Sequence, residues 1–92
     1  MPEREQECQD IYTNSVNVAA SLYEFVFHFS LTTPEWEGNP EDKVLVARAR
    51  MSPQHAKALH IILGAHLDAY EEKFQDISLP EELRRRLAGE EE

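Results

Sequence analysis

The four histidines are the residues best suited to chemistry, because imidazole binds metals and moves protons near neutral pH. His28 falls in a stretch of alternating residues, whereas the others fall in a stretch with helical periodicity, at His55, His60 and His66. Two ligands on one helix face need a spacing of four residues, as in helical zinc pairs. The spacings here are five and six, so the sequence predicts no metal site.

The other candidates for catalysis are two carboxylate pairs, Glu71-Glu72 and Glu81-Glu82. Both pairs lie in charged segments, without the apolar pocket that acid–base work requires. The chain also lacks a nucleophile motif, a glycine-rich phosphate loop and a partner for its single cysteine, Cys8. We therefore expect no catalytic residue, no cofactor and no enzymatic activity.

The net charge of the chain indicates which classes of partner it could bind. The chain has 92 residues, of which 18 are acidic and 9 basic, giving a net charge of −9. Such a charge repels nucleic-acid phosphates, favours solubility and suits a basic protein partner. A lone cysteine is typical of a reducing compartment, Met1–Asp10 does not resemble a signal peptide, and no apolar stretch is long enough for a membrane span. We expect a soluble cytoplasmic protein with no membrane partner.

Three stretches show the two-residue period of β-strands, namely Tyr12–Ala20, Glu24–Thr32 and Lys43–Met51. One face of the second stretch carries Phe25, Phe27, Phe29 and Leu31. Phenylalanines at this spacing can form a base-stacking platform, but the acidic charge favours a core role. In the third stretch, Leu45, Ala47, Ala49 and Met51 face one way, and Val44, Val46, Arg48 and Arg50 face the other.

Arg48 and Arg50 form a basic spot on the predicted sheet. They would either pair with acids such as Glu24 or contact a partner, and a nucleic-acid-binding protein that uses them is the alternative function. The loop Thr33–Asp42 contains Trp36, which would either cover an edge of the core or anchor a binding partner.

Ser52-Pro53 predicts the start of a helix that extends to about Gln75, with serine as the N-cap. One apolar stripe of this helix should pack on the sheet, and it comprises Ala56, Leu59, Leu63, Leu67, Tyr70 and Phe74. A second stripe lies on nearly the opposite side and comprises Ala58, Ile61, Ile62, Ala65 and Ala69. We expect this second stripe to pack against another helix, since small residues allow close approach. The alternative is that the alanines only favour helix on a wet face.

The predicted fold is α+β, a three-stranded antiparallel meander followed by one long amphipathic helix packed on it. Residues 1–10 would be a disordered arm, residues 11–80 the single domain, and residues 81–92 a short charged helical turn with an acidic tail. The predicted core is Val16, Val18, Phe25, Phe27, Phe29, Leu31, Leu45, Ala47, Leu59, Leu63, Leu67, Tyr70 and Phe74. Because so small a domain buries little surface and a sheet has two edges, we expect a homodimer or a larger symmetric assembly.

Several pieces of the sequence resemble one family, and the most telling are Tyr12–Asn14, Tyr23-Glu24-Phe25, Met51–Lys57, and Tyr70-Glu71 followed by Phe74. They resemble the bacterial and archaeal family called domain of unknown function 3467, over Ile11–Pro80. The resemblance implies a fold unit and no activity. The layout is also loosely similar to that of SecB-type export chaperones.

We interpret the chain as a non-catalytic, oligomeric protein-interaction module, an adaptor or scaffold with a chaperone-like holder as its closest variant. The second helix stripe would carry self-association. Trp36, Arg48 and Arg50 would contact the partner.

Overall fold

The computed structural model describes residues 8–89, which form three strands and two helices. The strands are β1 (Ser15–Ala20), β2 (Phe25–Thr33) and β3 (Asp42–Met51), and the helices are α1 (Pro53–Lys73) and α2 (Glu81–Leu87). The strands pair antiparallel in the order β1-β2-β3. The predicted α+β arrangement, a three-stranded meander followed by a long helix, is confirmed. Most of the predicted N-terminal arm, residues 1–7, and residues 90–92 of the predicted tail lie outside the described residues.

The chain divides into two compact units, with the boundary between Lys57 and Ala58 inside α1. The first unit contains the sheet and the first turn of α1. The second contains the rest of α1 and all of α2.

The β1–β2 turn is held by Ser21. Its backbone N–H donates to the carbonyl oxygen of Glu24 at 2.9 Å. Its hydroxyl oxygen accepts from the backbone N–H groups of Tyr23 and Glu24, at 3.2 and 3.3 Å. A serine that satisfies the backbone of the residues after it is a common turn device, so the reversal between β1 and β2 has a local cause.

One face of the sheet is apolar along most of its length. Between the β1–β2 turn and the register shift after Phe29, nine apolar residues lie on this apolar sheet face, namely Val16, Val18, Ala20, Phe25, Phe27, Phe29, Ala47, Ala49 and Met51. The rings of Phe27 and Phe29 stack at a centroid distance of 6.2 Å. The period-two pattern of each strand therefore assigned these side chains to the correct face.

The register of β2 and β3 shifts between Phe29 and Ser30, at a β-bulge. Phe29 lies opposite Ala47, but Ser30 lies opposite Leu45 and Leu31 lies opposite Val44. The prediction that Leu45 belongs to the core face is therefore wrong, and Val44 takes its place beside Leu31. The reason is that a bulge adds one residue to a strand and reverses the alternation beyond it.

The predicted core is not buried. Among residues 8–89 no apolar side chain is buried, and the sole buried residue is Ser30, with 6% of its surface exposed. The phenylalanines of β2 are half-buried, whereas the predicted core residues Val16, Val18, Leu45, Leu59, Leu63, Leu67, Tyr70 and Phe74 are exposed. In the first unit the sheet is a single layer, and burial of an apolar face requires a second layer against it.

The start of α1 follows the prediction. The hydroxyl oxygen of Ser52 accepts from the backbone N–H of His55 at 3.1 Å, and Pro53 is the first helical residue. Serine at the N-cap satisfies one of the amides that a helix start leaves free, and proline at the next position loses no hydrogen bond.

Candidate functional site

The second helix stripe forms an exposed surface on α1. All five of its residues are exposed, and the largest are Ile61 and Ile62, with 62% and 56% of their surface accessible. The alanines beside them leave the backbone open to close approach. The residues that the sequence predicted for self-association are thus brought together on one accessible surface.

The first helix stripe is exposed as well, from Leu59 to Phe74. Its C-terminal end is ordered by aromatic contacts, since the rings of Tyr70 and Phe74 lie 4.9 Å apart and the Lys73 ammonium lies 5.5 Å from the Phe74 ring. After α1 the chain turns back, and the N–H of Ile77 donates to a carboxylate oxygen of Glu71 at 2.8 Å. This turn shapes a shallow, mainly apolar cleft within the second unit, lined by Gly64, Leu67, Asp68, Glu71, Ile77 and Leu79.

The start of β1 is fixed by a side chain that the strand pattern did not reveal. The amide of Asn14 donates to the carbonyl of Thr32 at 3.1 Å and accepts from the N–H of Thr32 at 2.9 Å. The hydroxyl of Thr13 and the N–H of Asn14 both donate to the carbonyl of Ser30, at 2.6 and 3.2 Å. The side-chain amide of Asn14 therefore binds Thr32 in the way that the backbone of a neighbouring strand residue would. As a result, β1 begins at Ser15 and not at Tyr12.

Arg48 and Arg50 lie on the other face of the sheet, opposite His28 and Val26 of β2. Arg50 forms an ion pair with Glu24 at 3.8 Å, which is one of the two roles that the sequence left open for it. Arg48 is exposed. One arginine of the basic spot therefore has an acidic neighbour, and the other is exposed on the same face of the sheet.

Trp36 lies on a tight turn and is exposed. Trp36 and Asn39 exchange two backbone hydrogen bonds, at 3.0 and 2.7 Å. The two residues between them, Glu37 and Gly38, both have positive φ, 45° and 80°, as in a type I′ turn. With 52% of its surface accessible, the Trp36 side chain is about half exposed.

The histidines are dispersed. His28 is half-buried on β2, whereas His55, His60 and His66 are exposed on α1. Within residues 8–89, no three His, Cys, Asp or Glu side chains lie close enough together to hold a metal ion. No helix in this part of the chain is long and apolar enough to cross a bilayer.

A family model described as "Protein of unknown function (DUF3467)" matches residues 3–79. The chain belongs to the DUF3467 family. No curated protein matches it. No solved structure matches it either, so the likeness to SecB-type chaperones has no structural support.

Three of the four pieces of sequence on which the family resemblance rested contain a residue with a hydrogen bond or ion pair in this DUF3467 chain. Asn14 binds Thr32 and fixes the start of β1, and Ser52 caps α1. Glu24 pairs with Arg50 across the sheet. Each of these three residues therefore has a structural role in this chain.

Proposed function

We propose that this chain is a non-catalytic protein-interaction module that associates with itself, as a homodimer or a larger symmetric assembly, and then binds a protein partner as an adaptor or scaffold. The observation that carries the proposal is the exposure of its apolar side chains. The apolar sheet face and both stripes of α1 lack the burial that makes a domain stable.

Burial of these exposed apolar side chains would contribute a large free energy. Fully burying one Val, Leu, Ile or Phe side chain contributes about 1.5–3 kcal/mol, and a stable domain needs a net of about 5–15 kcal/mol. The described chain leaves many such side chains about half exposed. A second copy of the same chain can cover these side chains. Most soluble oligomers are closed symmetric assemblies of identical chains.

The second helix stripe supports a helix–helix contact between two copies. Around a two-fold axis, Ile61 and Ile62 of one copy would pack between the alanines of the other, because the same surface is used twice. The exposure of both isoleucines in the single chain agrees with such a contact.

A protein partner is favoured over nucleic acid. Trp36 offers a rigid aromatic anchor on a tight turn, and tryptophan is enriched among the residues that dominate binding energy. The net charge of −9 favours a basic partner surface. A chaperone-like holder would bind apolar segments of its protein partner in the apolar cleft near Ile77.

Sedimentation equilibrium of the purified chain tests the proposal. We expect the mass of a dimer or a larger assembly over the accessible concentration range, together with a melting temperature that rises with concentration. A folded monomer at the highest soluble concentration would refute the proposal.

A further inference from the structure

The two edges of the sheet differ in how well they are protected from other strands. The β3 edge carries Lys43, Arg48 and Arg50 and contains the bulge, and charges and bulges are the usual means by which sheet edges avoid further pairing. The β1 edge, with the sequence SVNVAA, has no charge and no proline, and its register with β2 is regular.

The free hydrogen-bonding groups of β1 belong to alternate residues. Ser21 donates to Glu24 in the register of β1 with β2, and hydrogen-bonded pairs in an antiparallel ladder recur at every second residue. Ser15, Asn17 and Ala19 therefore bond to β2, and the N–H and C=O groups of Val16, Val18 and Ala20 point away from it. Beyond the regular ladders, residues 8–89 place no hydrogen bond on these three residues.

We propose that two copies of the chain join through their β1 strands, antiparallel and centred on Val18, to form one continuous six-stranded sheet. In this register Val18 lies opposite Val18 of the second copy, and Val16 lies opposite Ala20. All three outward-facing residues then exchange hydrogen bonds with their counterparts. This inference rests on the proposed self-association and specifies a second contact besides the helix stripe.

The register also suits the side chains. Residues directly opposite each other point to the same face, so Val16, Val18 and Ala20 of both copies would extend the apolar sheet face across the axis. No charged residue lies within β1, so a chain with a net charge of −9 brings no like charges together at this edge. A strand pair of six residues is small for a stable interface, which is why it would act together with the helix contact.

Disulfide trapping tests the register, in the chain with Cys8→Ser so that the single natural thiol does not interfere. Val18→Cys should form a covalent dimer under mild oxidation at low concentration, because Cα atoms of a hydrogen-bonded pair are about 5.5 Å apart, within the range that a disulfide spans. Val16→Cys is the matched control and should form none, since the two positions would be about 14 Å apart along the strands. Val16→Cys combined with Ala20→Cys should restore the covalent dimer.

The outcomes separate this inference from the proposed function. If sedimentation gives a dimer or a larger assembly but Val18→Cys does not cross-link, the β1 contact is wrong and self-association stands. Equal cross-linking of Val18→Cys and Val16→Cys would also overturn the register. Hydrogen exchange provides a second measurement in the unmodified chain, where the amides of Val16, Val18 and Ala20 should be protected in the assembly and lose protection on dilution. Fast exchange of these amides in an intact assembly would contradict the pairing.

Discussion

Replacing Ile62 with glutamate should weaken the assembly by a predictable amount. In the single chain 56% of the Ile62 surface is accessible, so association can bury about half of a side chain whose full burial contributes about 1.5–3 kcal/mol. A two-fold contact uses the residue twice, which gives about 1.5–3 kcal/mol per dimer. Since each 1.4 kcal/mol is a factor of ten, the dissociation constant of the helix contact should rise by about 10- to 150-fold, and the buried charge adds to this loss.

The matched control is His60→Glu, because position 60 is also exposed and lies about 160° around α1 from position 62. The control adds the same charge but should leave the dissociation constant nearly unchanged. Sedimentation equilibrium measures both variants, and circular dichroism establishes that each keeps its helix content. If Ile62→Glu leaves the mass and the dissociation constant unchanged, the helix contact is wrong, and the β1 edge would then be the contact that holds the copies together.

Two substitutions in the first unit test the local structure. Asn14→Asp should lower the free energy of unfolding by about 1–2 kcal/mol, because a carboxylate cannot donate to the Thr32 carbonyl and places a second acceptor against it. Urea unfolding measures the loss, and Asn39→Asp, at an exposed turn residue that bonds through its backbone, should change it little. Glu37→Asn should raise the free energy of unfolding by up to about 1 kcal/mol, because asparagine followed by glycine suits the positive φ of this turn. Thermal unfolding measures the gain as a higher melting temperature. Glu37→Ala removes the same charge without that preference, and a gain as large as that of Glu37→Asn would refute the conformational explanation.

The sequence predicted the elements of the fold well, because period-two and helical patterns record which side chains share a face. It also predicted the start of α1, since the Ser52-Pro53 signal is local. It missed what depends on contacts distant in sequence. The shift of Leu45 to the other face comes from a bulge against β2, and the late start of β1 comes from the amide of Asn14 binding Thr32.

The candidate surfaces were predicted only in part. Periodicity identified the stripe around Ile62, because two apolar stripes on one helix exceed what a single sheet needs. It could not show how much of either stripe a single chain covers, since burial depends on what packs against a face. The β1 edge was visible in the sequence as an uncharged strand, but its free groups could be assigned only from the register and the bond at Ser21.

The bulge and the charges of β3 have a consequence for the size of any assembly. A subunit with two open sheet edges could add copies at both ends without limit, as in a fibre. Here the β3 edge carries the bulge together with Lys43, Arg48 and Arg50, and such an edge resists further pairing. In strand pairing the subunit is then like a monomer with one reactive end, which can form a dimer through its sheet but cannot extend that sheet further. Removing the positive charges of β3 would create a second open edge and turn a closed particle into an aggregating one.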